Sequence, residues 1–267
     1  MSTVLANSLP GHRELPCTDG KPLENSIEQV QNSLLTEVLE PILNALHPDG
    51  QYFVGQDVGI YYDSTQPNLG SCRAPDWFYV PDVSPLEPTD HGYRRSYVMW
   101  KEDYIPPYLI IEQVSGDGKD ERDRKSGGKM WVYETQLKTP YYAIFDGFEK
   151  EAGEGILEVY RLVNGKYVQQ SPDPHGRYLI PNLNVLLGME DQLYRGHVHP
   201  WLRFYDRDGN LLLTGNERAE IDRRRAERAD KKAKEAEQRA QLAEQEKLAA
   251  DAEIAQLKEQ LRKLRGE

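Results

Sequence analysis

Residues 107–115 read Pro107-Tyr-Leu-Ile-Ile-Glu112-Gln-Val-Ser115, an almost continuous apolar run of the kind that fills the buried centre of a sheet. One side chain in it is out of place. A carboxylate inside an Ile-Ile-Glu-Gln-Val run is costly to bury unless it is paired or holds a cation. Glu112 is therefore either a salt-bridged structural group or part of a site. Upstream, Pro75-Asp76 opens an extended segment over residues 74–81, because the residue before a proline is steered away from helix. Asp76 reads as a cap at the start of that strand or as a second site carboxylate. Downstream, Lys129 stands 17 positions beyond Glu112 and four before Tyr133. Two strand carboxylates and a lysine at the head of a helix are the minimum equipment for metal-assisted hydrolysis of a phosphodiester. A divalent ion held by carboxylates activates water and offsets negative charge, and Mg2+ asks for only one or two protein carboxylates. A lysine beside it orients or deprotonates the water, or neutralises developing charge.

Around this core the pattern alternates between helix and strand. Ile27, Val30, Leu34, Leu35, Val38, Leu39, Ile42, Leu43 and Leu46 recur at helical spacing, which predicts an amphipathic helix from about Glu24 to the Pro48-Asp49-Gly50 stop. Short strands are expected at 51–54 and 58–62, and residues 84–101 are polar enough for a loop. A helix is predicted from about Asp120 to Leu137. Ser126-Gly-Gly128 opposes it, since each glycine costs up to roughly 1 kcal/mol relative to alanine; a start near Gly128 would put Lys129 in the first turn. Strands are expected at 141–145, 156–162, 167–169 and 177–180, with Asn164-Gly165 as a hairpin turn. A last hairpin is expected between 201–205 and 211–213, around Asp206-Arg-Asp-Gly-Asn210.

From Asn216 onward the composition changes to Ala, Glu, Lys, Arg, Gln and Leu, with one Gly and no Pro. Ala219, Ala226, Ala233, Ala240, Ile254 and Leu261 occupy one position of a heptad, with Lys247 interrupting. Ala229, Ala236, Ala243, Ala250, Leu257 and Leu264 occupy the other. The tail holds 14 basic and 13 acidic residues, so the acidic excess of the chain, net charge -11, belongs to the part before it. That excess argues against a protein that simply coats nucleic acid; a bound cation would change the local sign. Three segments follow: a loose leader (1–22), a globular domain (23–215) and a coiled-coil helix (216–267) through which copies of the chain are expected to associate.

Two cysteines without paired spacing leave no disulfide framework or structural zinc site and fit a reducing cytoplasm. No apolar run is long enough to span a bilayer, and the first residues lack the design of a signal peptide, so no membrane partner is expected. Gly116-Asp-Gly-Lys-Asp120 lacks the ending of a phosphate-binding loop, and Ser115 has no Gly-x-Ser-x-Gly context. His197-x-His199 would put both rings on one strand face, more simply as surface groups than as metal ligands.

Pro75-Asp76, Leu109-Ile-Ile-Glu112-Gln-Val-Ser115, Asp123, Lys129-x-x-x-Tyr133 and Pro140-Tyr-Tyr-Ala-Ile-Phe-Asp146, in this order and spacing, resemble the Uma-two family of the restriction-endonuclease-like, PD-(D/E)XK superfamily. The resemblance covers roughly residues 20 to 215. It implies an α/β fold: a mixed central sheet of about four strands flanked by helices, the site at one sheet edge, with added β-hairpins. It implies an endonuclease that hydrolyses DNA with Mg2+ or Mn2+ held by Asp76 and Glu112, and Glu24 as an accessory ligand. The superfamily's usual lysine position, two after the acid, is Val114 here. The resemblance moves that role to Lys129, with Lys125 as the fallback. A catalytically idle interaction protein, using the same fold as a scaffold and assembling through its tail, is the alternative.

Overall fold

The structure, a computed structural model, describes residues 9–16, 26–86, 92–147, 150 and 153–265. It divides into two compact units, Met1–Leu212 and Leu213–Glu267. Helix α1 spans Ser26–Leu46. Strands β1 (Tyr52–Gly55), β2 (Ile60–Tyr61), β3 (Cys72–Arg73), β4 (Trp77–Pro81), β5 (Tyr97–Val98) and β6 (Leu109–Gln113) follow. A second helix, α2, begins at Lys129 and continues beyond Trp131 as a wider π turn over Val132–Leu137. Then come β7 (Tyr141–Asp146), β8 (Ile156–Val163), β9 (Lys166–Gln169), β10 (Tyr178–Ile180), β11 (Val185–Tyr194) and β12 (His197–Tyr205). The last element is helix α3, Gly215–Arg265.

The main sheet is six-stranded, in the order β1-β4-β6-β7-β8-β9. Only β6 and β7 pair in parallel; their neighbours run antiparallel. This is the mixed α/β architecture of the restriction-endonuclease-like fold, with six strands where about four were expected. Strand alternation sends odd-numbered β6 residues to one face and even-numbered ones to the other. Leu109 and Ile111 join Leu34, Leu35, Val38 and Leu39 of α1 and the β10-β11-β12 sheet in one core. Ile110 joins Met130, Val132 and Tyr133 of the α2 segment, with Ile60 and Tyr97, in the other. Each fully buried leucine of α1 contributes about 2 kcal/mol from leaving water, so it is packing of this face, more than helix propensity, that holds the helix on the sheet. Polar ties fix its position: Gln31 donates to the Leu202 carbonyl and accepts from the Leu202 amide, both at 2.9 Å.

Three expectations are refined. Of the two starts open to the helix after β6, the structure has the one near Gly128: the helix begins at Lys129, and residues 115–128 form turns. Gly127 has φ +89°, and a Cβ on Gly128 would come within 2.5 Å of Asp123, so the two glycines serve a tight turn that packs against Asp123 rather than a helix. The expected 201–213 hairpin is reduced to a single bridge between Tyr205 and Leu211. The long hairpin is β11–β12, closed by Arg195 and Gly196 at φ +46° and +86°, the two-residue mirror turn that matches strand twist. Arginine is not a residue that advertises such a turn. Within the stretch expected to be a leader, residues 9–16 pack on the domain: Leu15 is buried, the Trp100 indole donates to the Pro10 carbonyl at 2.9 Å, and the Tyr61 hydroxyl to that of Pro16 at 2.6 Å.

Candidate active site

Strands β4 and β6 pair with Trp77 opposite Ile111. Continuing that register by one residue sets Asp76 opposite Glu112, and directly opposed residues of an antiparallel pair share a face. The β6 backbone holds Asp76: the Gln113 amide donates to its Oδ2 at 2.5 Å. Gln113's own side chain points the other way and donates to Asn32 Oδ1 on α1 at 2.7 Å. The two carboxylates thus meet at the ends of two inner strands, rather than at a lateral edge of the sheet.

Glu112 is fully buried, and both its oxygens are engaged from one helix face. Lys129 and Tyr133 are four residues apart, so their side chains lie one above the other. The Lys129 ammonium donates to Glu112 Oε2 at 3.1 Å, and the Tyr133 hydroxyl donates to Oε1. The spacing Lys-x-x-x-Tyr is therefore a clamp on one carboxylate. The π turn that carries Tyr133 is a rare conformation and recurs at functional sites.

Lys129 also donates to Glu121 Oε1 at 3.2 Å, and Tyr142 donates to the Glu121 carbonyl at 2.8 Å. Glu121 is buried, and its second oxygen, Oε2, has no hydrogen-bond partner among the described residues. Nothing in the sequence singled it out: it stands in an acidic and basic run, Asp120-Glu-Arg-Asp123, that resembles any solvated loop. Lys125 is exposed, its amide turned to Asp123 Oδ1 at 2.9 Å, so Lys129 is the lysine brought to the carboxylates. Glu24 lies outside the described residues. The expected surface placement holds for His197, which is exposed, but not for His199, which is buried against Trp201 with the rings tilted and their centroids 4.0 Å apart.

The electrostatics follow from three carboxylates around one ammonium. Burial, then the neighbouring Glu112 carboxylate, raise the Asp76 carboxyl well above the usual range, against the Gln113 amide and Lys129, which lower it. Burial alone would push the Lys129 ammonium towards losing its proton, but Glu112, Asp76 and Glu121 outweigh it and hold the group above the ordinary lysine range. Burial, and next the Glu112 charge, keep the Tyr133 hydroxyl protonated as a donor. The site is short of positive charge. Asp76 and Glu112 offer hard carboxylate oxygens, the donor type that fits a hard divalent cation such as Mg2+ or Mn2+. Among the described residues, no group of three or more His, Cys, Asp or Glu converges as a ready-made cage, so such an ion would rest on Asp76 and Glu112 and keep much of its water.

The family model named Uma2, described as "Putative restriction endonuclease", matches residues 19–193. No curated protein matches the chain. Among the described residues no helix is long and apolar enough to cross a membrane.

Proposed function

The chain belongs to the Uma2 family, and from that premise we propose that it is a divalent-metal-dependent endonuclease that hydrolyses DNA phosphodiester bonds. The observation that carries this reading is the opposition of Asp76 and Glu112 across β4 and β6, with the Lys129 ammonium 3.1 Å from Glu112. Asp76 and Glu112 would hold the cation, with Glu24 as an accessory ligand. When bound, the cation offsets the charge of the phosphate and makes water a better nucleophile.

The protein's own groups do the rest. Tyr133 and Lys129 lock the Glu112 carboxylate in one orientation, and the Gln113 amide does the same for Asp76, so neither needs to reorganise when substrate arrives. Lys129 is an ammonium that already donates to two carboxylates. Its role is to orient the attacking water and stabilise negative charge on the phosphate, rather than to remove a proton. Glu121, which shares that ammonium, positions it. Self-association through α3 would bring two such sites to one duplex, and the cytoplasm is the compartment this chemistry fits.

The test is nicking of supercoiled plasmid with Mg2+ or Mn2+, comparing the native protein with Glu112→Ala and measuring Mn2+ binding to both. Metal-dependent nicking and Mn2+ binding should both disappear in the variant. Equal nicking by the two proteins would remove Glu112 from the reaction.

The ion network itself favours a second reading. Lys129 already fills the space between Glu112 and Glu121, as a purely structural ion triad would. An idle scaffold would bind no Mn2+ at this site, and a folded native protein that neither binds the ion nor cuts DNA or RNA would establish it.

A further inference from the structure

Every residue of α3 from Ile221 to Lys263 is exposed. A helix that is polar all round persists in water through many i,i+4 ion pairs or through a partner. Here the ion pairs cluster at the two ends. Arg223, Arg224 and Arg225 pair with Glu220, Glu227 and Asp222, and Lys234 with Asp230. Near the other end Lys263 pairs with Glu259. Between residues 235 and 258 none of the ion pairs seen among the described residues occurs. That middle stretch is left to a partner, and from its end an apolar stripe runs in heptad register: Ile254, Leu257 and Leu261 are about half exposed, at 49%, 52% and 55%, while Leu242 and Leu248 lie off it.

From the charges that flank this stripe we infer that the partner is a second copy of the chain, aligned parallel and in register. This rests on the self-association reading proposed above and adds its polarity. With Ala226 and Ala229 as core positions, the flanking position before each heptad of one helix meets the flanking position five residues on in its partner. In a parallel pair Arg225 then faces Asp230, Lys232 faces Glu237, Arg239 faces Glu244 and Glu253 faces Lys258. Two pairs repel: Arg218 with Arg223 at the start of the helix, and Glu246 with Asp251, which flank Lys247, the single lysine on the stripe, whose ammonium reaches out between them. Reversing one helix would set the successive acids Asp230, Glu237, Glu244 and Asp251 against each other. The other flanking row would gain from reversal, whereas the parallel arrangement gains on both sides. A lysine at one core position also penalises shifted registers and larger bundles. A parallel seam starts both globular units from the same end. A reversed one would separate their points of attachment by about 75 Å over the 51 residues of α3.

The experiment uses the full chain. Sedimentation gives the mass, and Ala250→Cys, at a core position, is oxidised gently and run on a non-reducing gel beside the native protein with its own two cysteines. Dimer mass and a dimer band specific to the variant are expected. Lys232→Glu should weaken the dimer about tenfold, because two attractive pairs become repulsive, and adding Glu237→Lys should restore it. A dimer that neither cross-links through Ala250→Cys nor responds to the exchange overturns the parallel register while leaving self-association standing. A monomer overturns both, and a trimer or larger assembly overturns the two-stranded seam.

Discussion

The globular unit and the C-terminal helix both carry many charges and handle them in opposite ways. Around Glu112 three carboxylates and one ammonium are drawn into the protein: Glu112 and Glu121 are fully or almost fully buried, and 30% of the Lys129 side chain remains exposed. Along α3 the ion-paired side chains stay mostly in water, as in the Lys234–Asp230 pair at 71% and 64% exposure. The distances are similar, 3.1 Å against 2.8 Å. Distance alone therefore says little about what an ion pair does. Desolvation sets its worth: removing one member of a buried pair strands the other charge, while removing one member of a solvated pair strands nothing.

The sharpest way to break this contrast is Lys129→Met. Glu112 and Glu121 would lose their shared counter-charge, and stability at neutral pH should fall by roughly 2–3 kcal/mol, below the full cost of a broken buried pair because the lysine is partly solvated. Chemical denaturation measures it. A loss no larger than that of a surface substitution would mean that water already reaches the triad. Tyr133→Phe comes next. It leaves Glu112 Oε1 buried without its donor, and the expected cost is about 1–2 kcal/mol by the same measurement.

Asp76→Asn should act with the opposite sign. The folded-state carboxyl is raised above its unfolded value by burial and by Glu112. Between those two values the folded chain holds a proton that the unfolded chain has released. Stability of the metal-free protein therefore falls as pH rises through that window, and above it the charged Asp76 is a standing penalty. Asparagine can still accept from the Gln113 amide and removes the charge. The variant should melt higher than the native protein at neutral pH without divalent ions, lose that pH dependence, and no longer gain stability from Mn2+. A variant less stable across the whole pH range would show that the Asp76 charge is compensated in the native fold.

How much of this was legible in the sequence divides along the same line. Tail and central strand announced themselves, one by heptad spacing and the other by a single acid in the apolar run at Glu112. The lysine spacing to Tyr133 was visible, yet its meaning as a clamp needed the π turn, which has no composition signal. Glu121 was invisible because an acid in Asp120-Glu-Arg-Asp123 looks like surface; only the fold of the 115–128 turns buries it. The helix start stayed open between Asp120 and Gly128 for a related reason. Glycine cost was weighed against helix, but the contact of Gly128 with Asp123, which fixes the turn, is a tertiary fact. The β11–β12 hairpin was missed because its turn places Arg195 where asparagine or aspartate is the usual marker.

The smallest expected effect tests the solvated side of the contrast. Lys234 and Asp230 are an i,i+4 pair on α3, and Lys234 lies off the heptad stripe, so it takes no part in the proposed seam. Lys234→Ala removes the pair but substitutes the best helix former, and the two changes oppose each other. The net shift should be no more than about 0.5 kcal/mol, with the mass in solution unchanged and the same result at high and low salt. A clear loss of helix on removing this one pair would mean that α3 persists as a single helix held by its own ion pairs. The need for a second copy would then weaken, and the contrast with the triad at Glu112 would become one of degree.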